Sequence, residues 1–286
     1  MTPLSLSTWR ELFGAILLTV VVAVMRRHGR PLINFRRLPS RVVLALSVGA
    51  TAAMVINLAI FVAFGRITVA LALLAFYTYP ALVAAVAIVV DRRRPDRIEL
   101  VALALALLGM TLVVLGQLDP AAGLVIDALG LGLAILASLG QTVYITSSRG
   151  YASVPTEQAA TLMLWVGTIV YVLISVATGS LDSIAQPFRN PVLWPYLLFA
   201  GLLGAGVPAL LFLLAIRLIG PVRTGILAML EPVTGTILAA IILAETIGPI
   251  QLVGGALVIT AGILLQRAPR PAGVPPAGPV PAAASG

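Results

Sequence analysis

Apolar residues run along this chain in blocks of about twenty, a length that at 1.5 Å per residue crosses a hydrocarbon core about 30 Å thick. Short polar turns separate the blocks. The pattern predicts nine transmembrane helices, at about 9–25, 42–64, 68–90, 98–116, 124–147, 158–178, 193–215, 224–244 and 248–266. The predicted fold class is an all-α membrane protein, a polytopic helical bundle, whose chemistry must lie within the spans because no loop is long enough to fold on its own. Residues 267–286, mostly Pro, Ala and Gly, are expected to form a disordered cytoplasmic tail. Met1 stands close to the first apolar block with no basic region and no Ala-x-Ala site behind it, so no cleavable signal peptide is expected.

Composition strengthens this reading. Hydrophobic residues make up 60% of the 286 positions and charged residues 10%, against roughly 45–50% and 25% in a soluble domain. There is no cysteine, and the single His28 falls in a basic loop away from other metal ligands, so no metal or cofactor is expected. The net charge of +8 comes from arginines at span ends. Positive-inside topology explains them better than nucleic-acid binding.

Placing the loops alternately on two sides puts all but Arg10, Arg66 and Arg189 of the 18 basic residues on one face. That face is expected to be cytoplasmic, with the C-terminus on it and the N-terminus outside, in the plasma (cell inner) membrane. The chain has no lysine and therefore no Gly-x-x-x-x-Gly-Lys loop, which excludes ATP as its direct energy source.

One residue breaks the apolar pattern sharply. Glu231 stands in Thr224 to Ala244, a stretch with no other charge, about seven residues or roughly 10 Å beyond the helix start. A carboxylate at that depth is expensive and marks a candidate functional site. Two roles stay open: a proton-coupling or amine-binding group, or a structural acid held by neighbouring hydroxyls. The other acids read as surface or turn residues, Glu245 among them with an outer gate as its alternative, and Arg223 reads as a marker of the membrane surface.

Proline sharpens the pattern further. Pro232 frees the carbonyl of Ala228, and Pro208 frees that of Gly204, so with Pro80 these are hinge candidates. Laying Pro80 on Pro232 also aligns Ala87, Ile98, Leu100 and Val101 with identical residues 152 positions on. The two proline spans run in opposite directions through the membrane, which indicates two inverted repeats of about five helices, residues 1–118 and 119–266, a layout found in secondary transporters. The repeat sets Tyr79-Pro80 opposite Glu231-Pro232, so Tyr77 and Tyr79 become cavity candidates, with helix-contact hydroxyls as the alternative. Ser138, Gln141, Thr142 and Ile145 share one helix face with Tyr144 beside it, and Gln141 and Tyr144 join the candidates. Asn57 and Trp165 complete the set.

The run Leu230-Glu231-Pro232-Val233, with Glu245, Gln251, Gly254, Gly255 and Gly262 after it, resembles the EamA family of the drug/metabolite transporter superfamily. Tyr79-Pro80, Asp91-Arg92-Arg93 and Leu107-Leu108-Gly109 repeat the layout in the first half, and Pro3-Leu4 with Arg10 and Arg26-Arg27 resembles the family's second helix. The resemblance implies ten helices in two inverted repeats, so one further apolar span is expected to be encoded before Met1. It also implies a transporter of amino acids, other metabolites or drugs.

The function expected is a secondary transporter exporting a small organic solute by alternating access, with the solute, the lipid bilayer and a coupling proton as partners. A homodimer is left open. A non-transporting sensor or assembly factor is the alternative, and an intramembrane enzyme is disfavoured because it needs paired acids or an activated nucleophile, whereas the deep acids reduce to Glu231.

Overall fold

The computed structural model of the chain describes residues 1–267 except Asp91, Arg93, Arg94, 119–124 and Glu245. The expected tail beyond Arg267, the Glu245 turn and the Asp91 corner therefore lie outside the described residues. Among the described residues, nine helices are long and apolar enough to cross a membrane. They are α1 (Pro3–Arg27), α2 (Ser40–Phe64), α3 (Val69–Val89), α4 (Arg97–Leu115), α5 (Ala128–Tyr151), α6 (Thr156–Ala177), α7 (Leu193–Ile219), α8 (Pro221–Ile242) and α9 (Pro249–Arg267).

The first span differs from expectation. It begins at Pro3 rather than about residue 9, because Thr2 caps it by accepting a hydrogen bond from the Ser5 amide at 3.3 Å and Pro3 occupies the first turn. Ser5, Ser7 and Thr8 hide this turn from a hydropathy reading, and Glu11 follows inside the expected span. All four are buried against the rest of the protein.

Three spans are interrupted where a proline removes a backbone donor. Helix α3 breaks at Tyr77 and Thr78, where Pro80 frees the carbonyl of Phe76, and α8 breaks at Met229, where Pro232 frees that of Ala228. Helix α7 widens into a π-helical stretch, Leu202–Gly206, ahead of Pro208. Hydroxyls quiet nearby carbonyls: Thr78 donates to Ala75 O at 2.7 Å, and Thr236 to Pro232 O at 2.9 Å. In a bilayer such help is needed because no water reaches freed backbone groups.

Contacts group the helices into two compact units that do not follow chain order. The first unit joins Met1–Leu58 to Val143–Leu218. Helix α1 is its centre, packed along α6 and against the glycine-rich middle of α7. Gly14 of α1 approaches Gly206 so closely that a methyl on Gly14 would stand 2.9 Å from the Gly206 nitrogen. The short helices Leu181–Ile184 and Gln186–Arg189 cap one end, tied by Ser5 Oγ to Ser183 O at 2.7 Å and Trp9 Nε1 to Ile184 O at 3.0 Å.

The second unit joins Ala59–Thr142 to the described chain from Ile219 to Arg267. Its most extensive packing is α4 on α9. Gly109 and Gly254 face each other there, and a methyl on either would meet the other's carbonyl oxygen at 2.5 Å. Small residues at the crossing let the two backbones touch, the usual way helices associate in lipid. Gly132 does not share this role, since open space surrounds it. An alanine-rich cluster of Ala59, Ala63, Ala72, Ala134 and Ala137 around Ile60 and Ile67 packs the other side of the unit. Arg66, in the turn between α2 and α3, pairs with Asp127 just before α5 at 2.9 Å and holds that carboxyl below the usual aspartate range.

Large apolar side chains such as Ile241 and Ile242, more than 70% exposed, face outward from the helices. In water that surface would drive aggregation, and in lipid it is ordinary. Gly109→Leu is expected to destabilise the second unit by about 1–3 kcal/mol through overpacking. Melting in detergent measures this, and a variant that melts with the wild type would show that α4 and α9 do not cross at these glycines.

Candidate functional site

The second unit brings three of the expected site residues together. The Tyr77 hydroxyl donates to Glu231 Oε2 at 3.1 Å. Tyr79 is packed beside Tyr77 with ring centroids 6.2 Å apart, and Phe76 stands 5.3 Å from both rings. Proline breaks place these groups: Tyr77 sits in the interruption of α3, and Glu231 opens the second segment of α8 just after the break at Met229. The first segment of α8 lies against Pro80, with Gly225 offering a bare backbone where a methyl would rest 3.5 Å from the Pro80 side chain.

Burial separates the members. Tyr77 and Tyr79 are 3% and 2% exposed, whereas Glu231 is exposed. A carboxylate on a spanning helix that is not covered by protein needs water or a ligand, because lipid solvates it poorly. The arrangement therefore holds an acid at the rim of a buried aromatic floor, with one phenol pinning its oxygen. Such a group can take up a proton, or pair with a cationic solute group while the rings cover its apolar part.

The remaining candidates go elsewhere. Gln141 is half-buried in the second unit. In the same unit Thr78 and Ser138 share a hydrogen bond at 2.8 Å, so that part of the polar stripe is a helix contact between α3 and α5. Tyr144, Asn57 and Trp165 belong to the first unit. Tyr144 is buried and stacked on Phe212 with centroids 6.1 Å apart. Trp165 Nε1 donates to Thr19 Oγ1 at 3.0 Å, a contact of α6 with α1. Asn57 accepts from Arg10 and donates to Glu11 Oε1 at 3.1 Å.

Two corrections follow. Glu231 is not the single deep acid, since Glu11 is 3% exposed within α1. Arg223, the third residue of α8, stands at a helix end as expected but is buried rather than open, its Nε donating to Glu99 Oε1 at 2.9 Å within the second unit. The signal was faint in both cases. Glu11 follows a run of Ser and Thr that resembles a loop, and Glu99 is 124 residues from its arginine. Among the described residues no group of His, Cys, Asp and Glu could hold a metal.

Comparison with known proteins bears on the same residues. The chain matches the EamA-like transporter family over residues 1–115 and 128–266, which includes Tyr77, Tyr79 and Glu231. No curated protein matches it significantly. One solved crystal structure of a protein is similar in fold at a TM-score of 0.70 and 15% identity, over 93% of this chain and 88% of the other.

Tyr77→Phe removes the one phenolic donor shown on Glu231 and is expected to lower stability by about 1 kcal/mol. Arg223→Gln takes the guanidinium away from the buried Glu99 carboxylate and is expected to cost more, about 3–5 kcal/mol. Melting temperatures of the two purified variants give the order; a reversed order would mean that the Arg223 pair is solvated.

Proposed function

Since the chain belongs to the EamA-like transporter family and is thus a multi-pass membrane transporter built on two repeats, we propose that it moves a small organic solute outward by alternating access, with Glu231 as a solute- or proton-binding group. The observation that carries this reading is the Tyr77 to Glu231 hydrogen bond, made where two proline-interrupted helices meet. An interrupted helix bends at low cost, and a binding group beside the bend changes its surroundings when the helix moves. Pro80 and Pro232 act as the hinges of this motion, and Pro208 marks a third.

A carboxylate with an aromatic floor suits an amino acid or another metabolite that carries an ammonium group beside an apolar part. The two inverted repeats, with boundaries near residues 118 and 266, supply the inward- and outward-open forms. The cytoplasmic face is the arginine-rich one, and the membrane is the cell membrane. The energy source is a gradient, because this chain has no lysine and therefore no Gly-x-x-x-x-Gly-Lys loop.

Efflux of a panel of radiolabelled amino acids from preloaded proteoliposomes tests the reading. The wild type is expected to release at least one of them faster than empty vesicles. Glu231→Gln is expected to slow that release roughly tenfold, the loss of about 1.4 kcal/mol in the rate-limiting step. Release unchanged in Glu231→Gln with and without a pH gradient would remove the acid from the mechanism.

A further inference from the structure

Glu11 is a second intramembrane acid, and its surroundings in the first unit are built around the carboxyl. It lies eight residues into α1, about 12 Å along the helix axis. Asn57 of α2 gives one amide hydrogen to Glu11 Oε1 at 3.1 Å and the other to Ala53 O at 3.0 Å, while its own carbonyl accepts from Arg10. Tyr171 of α6 faces the same carboxyl and donates its single hydroxyl hydrogen to Met54 O at 2.7 Å. Opposite the second carboxyl oxygen stands Gly167, where a methyl group would collide with Glu11 Oε2.

This network has a definite proton count. The Asn57 hydrogens are both used, and the Tyr171 hydrogen is directed at Met54 O. The phenolic oxygen of Tyr171 still has acceptor capacity, and a neutral Glu11 supplies the hydrogen that fills it. An ionised Glu11 instead draws the Tyr171 hydroxyl away from Met54. The cluster is thus complete in two states that differ by one proton on the carboxyl and one rotation of a hydroxyl.

We propose that Glu11, held by Asn57 and Tyr171 in the space left by Gly167, is a proton-binding site separate from Glu231 whose loading and unloading is coupled to solute movement. Proton binding is a property of the cluster itself; the coupling rests on the transporter reading. The step is a simple one: a proton from water forms the O–H bond on the carboxylate, and the reverse releases it. The charged and titratable groups around the site are few. Arg10 neighbours it on α1, and Tyr171 faces it from α6. The stretch of α7 packed on α1, Leu193–Gly206, carries one titratable group, Tyr196, which is exposed, and in the adjoining short helices Asp182 and Arg189 pair with each other at 2.8 Å.

Infrared difference spectra of the full-length protein in lipid, titrated between about pH 5 and pH 9, read this site directly without a solute. The wild type is expected to show a carboxyl C=O band that appears as the pH falls. Glu11→Gln is expected to lose that band and Glu231→Gln to keep it. Tyr171→Phe, which preserves the ring, is expected to move the band's frequency and to shift its midpoint by about one pH unit, a tenfold change in proton affinity. The proposal is overturned if the titrating band persists in Glu11→Gln, or, should that variant not fold, if the band is unmoved in Tyr171→Phe. Solute release from wild-type proteoliposomes is scored separately: a band assigned to Glu11 with no release of any amino acid in the panel sinks the transporter reading while the proton site stands. If release does occur, an imposed pH gradient is expected to change its rate, and a rate indifferent to the gradient overturns the coupling.

Discussion

In a bilayer a charged side chain has no solvent to fall back on, so every carboxylate on a spanning helix must be met by protein or open to water. Three acids in this chain obey that constraint in three ways. Glu99 is closed off with the Arg223 guanidinium, Glu11 is enclosed by neutral donors beside Arg10, and Glu231 stays exposed with a single phenol on one oxygen. Much of the packing follows from placing these groups. Gly167 is bare because Glu11 fills its space, and Tyr77 is turned out of its helix where Pro80 has opened the backbone.

Proline and glycine do complementary work in meeting the constraint. Prolines at 80, 208 and 232 interrupt the regular helix hydrogen bonding where they stand. Glycines at 14, 109, 206 and 254 let backbones meet where no side chain is wanted. Rigid crossings and interrupted helix segments therefore occur together inside each unit. The broken pair α3 and α8 belongs to the second unit, and the π-widened α7 to the first.

The two units also show how chain order and packing part company. Sequence similarity relates the first half of the chain to the second, and the family match spans both halves. Contacts instead gather α1 with α6 and α7, and α4 with α8 and α9. Each unit thus holds helices from both halves and a buried acid that meets groups of the other half: Glu99 meets Arg223 in one, and Glu11 meets Gly167 and Tyr171 in the other. A partner more than a hundred residues away is invisible to any local reading of charge.

The sequence by itself determined the membrane class, the number of spans, the sites of the helix breaks and the isolation of Glu231 as the one charge in its span, because each follows from composition or from a residue's effect on its own backbone. Pro232 frees the carbonyl of Ala228 whatever surrounds it, and an apolar block of about twenty residues spans a bilayer in any bundle. The partners were decided by tertiary structure alone. Tyr77 on Glu231, Asn57 on Glu11 and Glu99 on Arg223 are separated by 154, 46 and 124 residues. The early start of α1 was hidden for the same reason: Ser5, Ser7 and Thr8 look like a polar loop until distant helices bury them, since the cost of a polar group depends on what faces it and not on its neighbours in the chain.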